Sequence, residues 1–243
     1  MPSSLLVAGG TGMAIAGGVF CRAVFAPRSQ ICGRTLFRGP KSDAPRIALT
    51  FDDGPHPEAT PRILDILREH RVPAAFFVVG DHGAVHGDLI RRAHAEGHLI
   101  GNHSMNHAYN GLFGRKRYWR RQIEGAADVI QSAIGVRSAL FRPPMGFKTF
   151  HVTKIARWTG HATVTWSCSG RDGVRTSRDR IVQRLAPRVR ARDIVLLHDG
   201  AVPPISRNID ATIAALPDLI LSWRARGLRI VRLDDLLGVN AYQ

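Results

Sequence analysis

Two adjacent carboxylates, Asp52 and Asp53, come directly after an apolar run at 47–51. The run is typical of a short buried strand, and Gly54-Pro55 indicates the turn that ends it. Folds of the α/β class place their chemistry at the carboxyl ends of such strands. Because neighbouring carboxylates repel each other, burying both requires a cation or a basic partner, and one can then hold a metal while the other accepts a proton. A solvated Asp-Asp-Gly turn is the alternative on this stretch alone.

Two histidines, His103 and His107, stand four positions apart after another apolar run, at 98–102. This spacing predicts a helical turn that places both imidazoles on one side, where they can reach the same cation. The chain contains eleven histidines. A single pair at this spacing is therefore a weak indication of a metal site.

Three more polar residues follow apolar runs further along the chain. Arg142 opens an Arg-Pro-Pro sequence, in which the prolines fix the backbone, and it is a ready partner for a buried carboxylate. Asp172 lies in a polar loop, and His198 ends a fully apolar run, where a histidine is more often functional than structural. Each also has a structural explanation, as a surface arginine, a turn-forming aspartate or a core histidine.

Short apolar runs and helical patterns alternate along the chain and would position these residues. Seven strands separated by six helices predict an α/β fold with a parallel sheet and right-handed crossovers, closed or nearly closed into a barrel. An open doubly wound sheet is the alternative. The predicted strands are 47–51, 74–79, 98–102, 139–141, 161–166, 193–197 and 228–233, and the predicted helices are 60–70, 86–96, 119–134, 150–158, 178–186 and 209–226.

The composition limits the possible domain organisation and the kinds of metal site. The 243 residues, 44% hydrophobic and 22% charged, fit one large α/β domain or two small ones and do not indicate disorder. None of the cysteines, Cys21, Cys32 and Cys168, belongs to a CxxC pair, so a zinc site would use histidines and carboxylates. A thiol nucleophile formed by Cys168 with His198 is an alternative, but no glycine turn of the oxyanion type adjoins it.

The formal net charge of +15 favours anionic partners such as acidic cell-wall polymers, phospholipid head groups or nucleic acid. The charges are spread along the chain, with one denser cluster at 115–121. That cluster is interpreted either as a solvated basic face or as a docking patch for a polyanion or a membrane.

Taken together, five motifs closely resemble those of the polysaccharide deacetylase family of metal-dependent carbohydrate esterases. The resemblance covers about 46–238. It implies a distorted (β/α)7 barrel, similar to a TIM barrel, in a single domain. It also implies hydrolysis of N-acetyl groups, less often O-acetyl groups, from peptidoglycan or chitin-like glycans. The motifs are TFDDGP at 50–55, HSMNH at 103–107, RPPMG at 142–146, the loop ending at Asp172, and IVLLHDG at 194–200.

The resemblance also implies a divalent metal. Asp53, His103 and His107 correspond to the family's metal ligands, one carboxylate and two imidazoles, which leave positions open for water and substrate. Zinc suits this set of ligands, and cobalt or another divalent ion is compatible with it.

By the same resemblance, Asp52 corresponds to the general base and Arg142 to the group that pairs with it and orients it. His198 corresponds to the general acid, and Asp172 to the carboxylate that keeps His198 cationic. The backbone N–H of Met145 is expected to share the developing oxyanion.

Trp166 is expected on the substrate side of the site, near positions where the sequence departs from the family. The family usually has an aromatic residue at Met145, an acid at Ser169 and a tryptophan at Gly173, so a more open sugar-facing wall is expected here. Ala108 also replaces a common proline, and no consequence is expected from that change.

Three functions remain open. The favoured one is a metal-dependent deacetylase with an acetylated glycan as its partner. An amidohydrolase acting on a non-sugar C–N bond is the second. A non-catalytic barrel that binds polyanions is the third; because a binder does not need the complete set of polar motif residues, no specific nucleic-acid partner is expected. The oligomeric state is not indicated.

Residues 1–26 form an apolar segment in which 5–21 carry no charge and have about the length of a minimal membrane span. An uncleaved anchor with membrane association is favoured over a cleaved signal or a soluble helix. A linker or strap at 27–45 and the catalytic domain at 46–238 would follow. Basic residues after the apolar stretch predict a cytoplasmic domain, whereas a glycan substrate predicts the cell envelope, and the two expectations conflict.

Overall fold

The computed structural model describes residues 22–203 and 208–243. The apolar N-terminal helix predicted around 5–21 lies outside these ranges. Among the helices that are described, none combines the length and the apolar character needed to cross a membrane.

The described chain alternates between strands and helices, as the sequence predicts. The strands are β1 (Arg46–Asp52), β2 (Ala75–Val78), β3 (Leu99–Asn102), β4 (Leu140–Phe141), β5 (Ala162–Thr163), β6 (Cys168–Ser169), β7 (Ile194–His198) and β8 (Arg229–Ile230). The α-helices are α1 (Ala59–Glu69), α2 (Gly80–Val85), α3 (Gly87–Ala95), α4 (Lys116–Ile134), α5 (Phe150–Trp158), α6 (Arg178–Leu185), α7 (Ile209–Ala225) and α8 (Leu233–Leu237). Two 3₁₀ helices lie at Tyr109–Phe113 and Pro144–Gly146.

Seven strands form one parallel ladder in the order β5-β4-β3-β2-β1-β7-β6, and β8 pairs with the first residues of β1. The prediction of a parallel α/β sheet with helices is therefore confirmed. The sheet is a curled half-barrel: its edge strands β5 and β6 are not paired with each other in the described ladder. Instead, Leu36 bridges to Val164 and Arg38 bridges to Asp193, so the segment at 36–38 spans the gap.

The strand predicted at 161–166 is wrong in its extent. Within that range only β5 forms. Strand β6, which was not predicted, begins at Cys168, two positions after the predicted strand ends. The backbone N–H of Val164 donates to Phe141 of β4, whereas on the opposite edge of the same segment Leu36 donates to Thr163 and accepts from Thr165. From Ser167 onward the chain pairs with β7 instead, because the N–H of Ser167 donates to Ile194, so the predicted strand does not continue along β4.

The two faces of β1 explain why its end carries the polar residues. Residues 47, 49 and 51 pack with α1 and α7 in the larger apolar cluster, whereas Ala48 packs in a smaller cluster on the inner side of the curl. Because successive side chains of a strand alternate between faces, Thr50 and Asp52 share the inner side with Ala48. Each large apolar side chain buried on the outer side stabilises the sheet by about 1.5–3 kcal/mol.

Candidate active site

The two carboxylates at the end of β1 lie at the centre of the curl and are almost completely buried. Asp52 is in register with Phe77 of β2 and with His198 of β7. Asp53 has a φ of 74°, a left-handed conformation that is uncommon for a residue other than glycine. The chain therefore turns sharply between the two carboxylates, and their side chains face different neighbours.

A third carboxylate, Asp199, holds this turn from β7. Its Oδ1 accepts the backbone N–H of Gly54 at 3.1 Å, and its Oδ2 accepts the Thr60 hydroxyl at 2.7 Å. A Cβ at Gly54 would lie 2.0 Å from Asp199 Oδ2, so only glycine fits there. Asp199 was not among the site residues predicted from the motifs. Its signal in the sequence was its place next to His198 at the end of an apolar strand.

Asp53, His103 and His107 converge on one point. The Nε2 atoms of the two histidines lie 3.2 and 3.3 Å from Asp53 Oδ1, and one ligand atom from each residue lies within 4.8 Å of the others. His103 Nδ1 lies 2.7 Å from the carbonyl oxygen of Arg142. Because a carbonyl only accepts, Nδ1 carries a hydrogen, and this contact orients the ring so that Nε2 faces Asp53. The donor set thus fits a divalent metal.

The helical turn predicted for the two histidines is wrong. They are joined by an irregular loop in which Ser104 and His107 have φ values of 70° and 48°. The side-chain oxygen of Gln122, on α4, accepts two backbone N–H groups of this loop, each at 3.1 Å. Gln122 was missed in the sequence, where its signal was an amide on the apolar face of a helix.

Arg142 is completely buried beneath the carboxylates. Its Nη1 donates to Asp52 Oδ1 at 2.7 Å and to the Thr50 hydroxyl at 2.8 Å, and its Nη2 donates to the Thr165 carbonyl at 3.2 Å. The guanidinium carbon lies 4.0 Å from the centre of the Phe77 ring. Burial lowers the pKa of Arg142, and the charge of Asp52 opposes that shift. Arg142 thereby fixes one oxygen of Asp52.

The surroundings of Asp53 and Asp199 shift the pKa values of these two carboxylates in opposite directions. Burial acts to raise the pKa of Asp53, but the hydrogen bond from His103 and the nearby histidine charges outweigh it and hold that pKa well below its usual value. Burial, reinforced by the charges of Asp53 and Asp52, raises the pKa of Asp199 to about 7. Asp53 is thus held anionic at neutral pH in the metal-free protein, whereas Asp199 titrates near neutrality.

His198 and Asp172 form a second pair beside the first. His198 Nδ1 lies 2.9 Å from Asp172 Oδ1, and Asp172 Oδ2 accepts the backbone N–H of His198 at 2.8 Å and the Thr212 hydroxyl at 2.9 Å. The structure thus brings together two residues that are 26 positions apart in the chain. A Cβ at Gly173 would lie only 3.2 Å from His198 Cε1, so the glycine lets the loop pass close to the ring.

Met145 and Trp166 lie at the rim next to Arg142. Met145 sits in the 3₁₀ helix with a φ of 53° and is 41% exposed. Its neighbour Gly146 has a φ of 69°, and a Cβ there would lie 2.4 Å from the Trp166 ring. The Trp166 ring therefore packs against the backbone at Gly146, 5.9 Å from the guanidinium carbon of Arg142.

Cys168 does not have the properties of a nucleophile. It is in register with Val195, three residues before His198. Burial and the carboxylate of Asp193, which accepts its S–H at 3.3 Å, raise the pKa of the Cys168 thiol to about 12. The thiol is protonated at neutral pH, which argues against the thiol alternative.

Comparison with known proteins identifies the family. Residues 39–164 match the profile of the polysaccharide deacetylase family, and a chitooligosaccharide deacetylase of Sinorhizobium fredii is 40% identical over 192 residues, 77% of this chain and 89% of that protein. The chain belongs to the polysaccharide deacetylase family. The predicted deacetylase class of hydrolase is therefore confirmed.

Two solved structures of polysaccharide deacetylase relatives extend the comparison. A peptidoglycan N-acetylglucosamine deacetylase in complex with 4-naphthalen-1-yl-N-oxidanyl-benzamide superposes with a TM-score of 0.79 and 29% identity, over 86% of this chain and 95% of that one. A family 4 carbohydrate esterase pseudoenzyme from Bacillus anthracis gives a TM-score of 0.75 and 26% identity, over 84% and 68% of the two chains. The fold therefore occurs with and without activity, and the site residues carry the functional argument.

Proposed function

We propose that this polysaccharide deacetylase removes N-acetyl groups from a glycan such as peptidoglycan or a chitin-like oligosaccharide, with Asp52 as general base and His198 as general acid. The observation that carries the proposal is the arrangement around the Asp53, His103 and His107 cluster. Asp52 and His198 share one register position beside it, and each is oriented by a buried partner.

The metal would be held by Asp53 through a carboxylate oxygen and by His103 and His107 through Nε2. Zinc suits one carboxylate and two imidazoles, and cobalt or another divalent ion is compatible with them. When bound, the cation supplies Lewis acidity, which polarises the acetyl carbonyl and makes a water molecule easier to deprotonate.

Asp52 would take the proton from the attacking water. Its Oδ1 is engaged by Arg142, whereas its Oδ2 faces the cluster, 3.7 Å from His103 Nε2. The two oxygens therefore have separate tasks, orientation and proton transfer. A general base held in this way contributes about 10²- to 10⁴-fold to the rate.

His198 would protonate the departing nitrogen. Its Nδ1 is bound by Asp172, which fixes the orientation of the ring, and Nε2 would deliver the proton. The backbone N–H of Met145, at the rim beside Arg142, is suited to stabilise negative charge on the acetyl oxygen. Together these groups would serve the two proton transfers and the oxyanion that amide hydrolysis requires.

Acetate release from the full chain tests the proposal. Chelation should abolish release from N-acetylglucosamine oligomers or peptidoglycan, and re-addition of zinc or cobalt should restore it. Asp52→Asn should abolish turnover while metal still binds, whereas Asp53→Asn should lose the metal. Unchanged turnover in the Asp52 variant would overturn the assigned roles. Hydrolysis confined to non-sugar amides would favour the amidohydrolase alternative instead.

Location at the cell envelope forms part of the same proposal, supported by the uncharged stretch at 5–21 and by the kind of substrate. Membrane fractionation of the chain with and without residues 1–26 tests it. If the full chain stays in the soluble fraction without detergent, residues 1–26 do not act as a membrane anchor and this part of the proposal fails.

A further inference from the structure

A cavity of about 780 Å³ opens between the segment that follows residue 22, strand β6 and helix α6. Among the described residues, seven arginines line it, together with a single carboxylate, that of Asp193. We call this cavity the arginine cleft. No cofactor or substrate contact of the mechanism above uses it.

The carboxylate of Asp193 in the arginine cleft is already neutralised. Asp193 is 1% exposed, and its Oδ1 accepts two hydrogen bonds from Arg38, at 2.9 and 2.5 Å. Its Oδ1 also accepts the Ser167 hydroxyl at 2.8 Å, and its Oδ2 accepts the backbone N–H of Arg190 at 2.8 Å. Asp193 therefore has no capacity to balance the other arginines.

Those other arginines are in part preorganised. Arg28 donates to the carbonyl of Ser167 at 2.9 Å, and Arg184 donates to the carbonyl of Gly170 at 3.0 Å. Within 22–203 and 208–243, neither these two nor Arg188 and Arg190 form an ion pair with a carboxylate. The arginine cleft thus concentrates uncompensated positive charge, which attracts anions.

The arginine cleft adjoins the catalytic loops. Trp166 lines it and also packs against Gly146, beside the Met145 backbone. Arg171 lines it as well, and the next residue, Asp172, orients His198. Trp166 and Arg171 therefore connect the arginine cleft to the loops of the proposed site.

We propose that the arginine cleft binds an anionic group, a phosphate or a carboxylate, carried by the glycan that is deacetylated. This rests on the function proposed above. Guanidinium groups match the geometry of both anions and bind them through paired, charge-assisted hydrogen bonds. A nucleic acid is less suited, because single strands bind on several stacking aromatic rings, and Trp166 is the one aromatic residue that the described part of the chain contributes to this cleft.

The test compares kcat/KM for acetate release from an uncharged N-acetylglucosamine oligomer with that from oligomers of equal length bearing phosphate or carboxylate groups. The metal-loaded full chain should favour a charged oligomer by about tenfold or more, a difference in KM that two charge-assisted contacts can supply. The phosphate and carboxylate oligomers show which anion is preferred. Equal values for charged and uncharged oligomers would overturn the proposal.

Two double variants localise the effect. Arg188→Gln with Arg190→Gln removes two charges from the arginine cleft, and Arg117→Gln with Arg121→Gln removes two exposed charges from α4. The ratio of kcat/KM for the charged oligomer to kcat/KM for the uncharged oligomer should fall about tenfold in the first double variant. The same ratio should stay constant in the second. An equal fall in both would mean that only the net charge matters, which would contradict a specific site.

Direct binding separates failure of this proposal from failure of the deacetylase function. Calorimetry on the Asp52→Asn variant measures affinity for inorganic phosphate and for the charged oligomers. If no oligomer is deacetylated, the proposed function fails, yet binding that weakens with Arg188→Gln and Arg190→Gln still supports an anion site. Binding that does not weaken, or a single-stranded oligonucleotide that displaces the charged oligomers at lower concentration, would overturn the proposal.

Discussion

Asp52 and His198 occupy the same register position on adjacent parallel strands, β1 and β7. Neighbouring strands lie about 4.8 Å apart, so the two groups flank one small space at the carboxyl end of the sheet. Each is tied to a different buried partner, Asp52 to Arg142 and His198 to Asp172. The two proposed proton carriers can therefore be tested separately.

Replacing the proposed acid should depend on the leaving group. His198→Gln should lower kcat for an N-acetyl glycan about 10²- to 10⁴-fold, because the departing nitrogen must be protonated. An aryl acetate, whose phenolate leaves without protonation, should lose much less. Asp172→Asn should lower kcat for each of the two substrates in the same way, but by smaller factors than His198→Gln does. Equal losses of kcat for amide and aryl ester would contradict the role of His198.

Removing the partner of Asp52 should cost both stability and rate. Arg142→Met leaves a buried carboxylate without compensation, which should lower the free energy of unfolding by about 3–5 kcal/mol. Arg142→Lys keeps the charge but cannot make the same three contacts. It should therefore be more stable than the Met variant, but it should still release acetate more slowly than the wild type. Urea unfolding measures the first effect and acetate release the second.

The exposed pair of Arg120 and Glu124, at 2.9 Å, is the control for that experiment. Arg120→Met should change the free energy of unfolding by about 1 kcal/mol or less. If Arg142→Met were equally mild, the buried pair would not be a determinant of stability.

Two glycines with similar φ values allow the cost of backbone strain to be measured separately from the cost of side-chain overlap. Gly146 and Gly238 have φ values of 69° and 66°, but only at Gly146 would a Cβ meet a neighbour, the Trp166 ring at 2.4 Å. Gly238→Ala should cost about 1–2 kcal/mol from its backbone conformation. Gly146→Ala should cost about 1–3 kcal/mol more and raise KM, because Trp166 has to move. Equal melting temperatures and an unchanged KM would contradict this packing.

His98 should make the protein sensitive to acid. Burial lowers the pKa of His98 from 6.5 to about 4, and its Nδ1 accepts the Ala74 N–H at 3.1 Å. Because the unfolded chain binds the proton more tightly, the contribution of His98 is fully present above pH 6.5 and is lost as the pH falls toward 4. That loss is on the order of 3 kcal/mol.

His98→Asn keeps an acceptor but cannot titrate in this range. Denaturant unfolding at pH 7 and pH 4.5 should show a smaller fall in the free energy of unfolding for this variant than for the wild type. His151, which is exposed, is the control, and His151→Asn should retain the full fall. Identical pH dependence of His98→Asn and the wild type would show that another group is responsible.

The prediction of polar residues at strand ends succeeded where the signal was local. An apolar run followed by a turn locates the end of β1 whatever surrounds it, and the same holds for His198 at the end of β7. The strand at 161–166 failed because the chain crosses from β4 to β7, where Ser167 donates to Ile194, and no local pattern reveals that change of partner. The loop of His103 and His107 failed for a related reason, since Gln122 shapes it from α4.

The sequence by itself determined the family and the residues that make the site, because motif residues and their order are written in the chain. Tertiary structure alone decided how they meet: the clamp of Asp199 on Gly54 and the convergence of two imidazoles on Asp53. It also assembled the arginine cleft, where Arg28 and Arg188 come from distant segments. Contacts of this kind depend on sheet register and on buried hydrogen bonds, which have no period or spacing in the sequence.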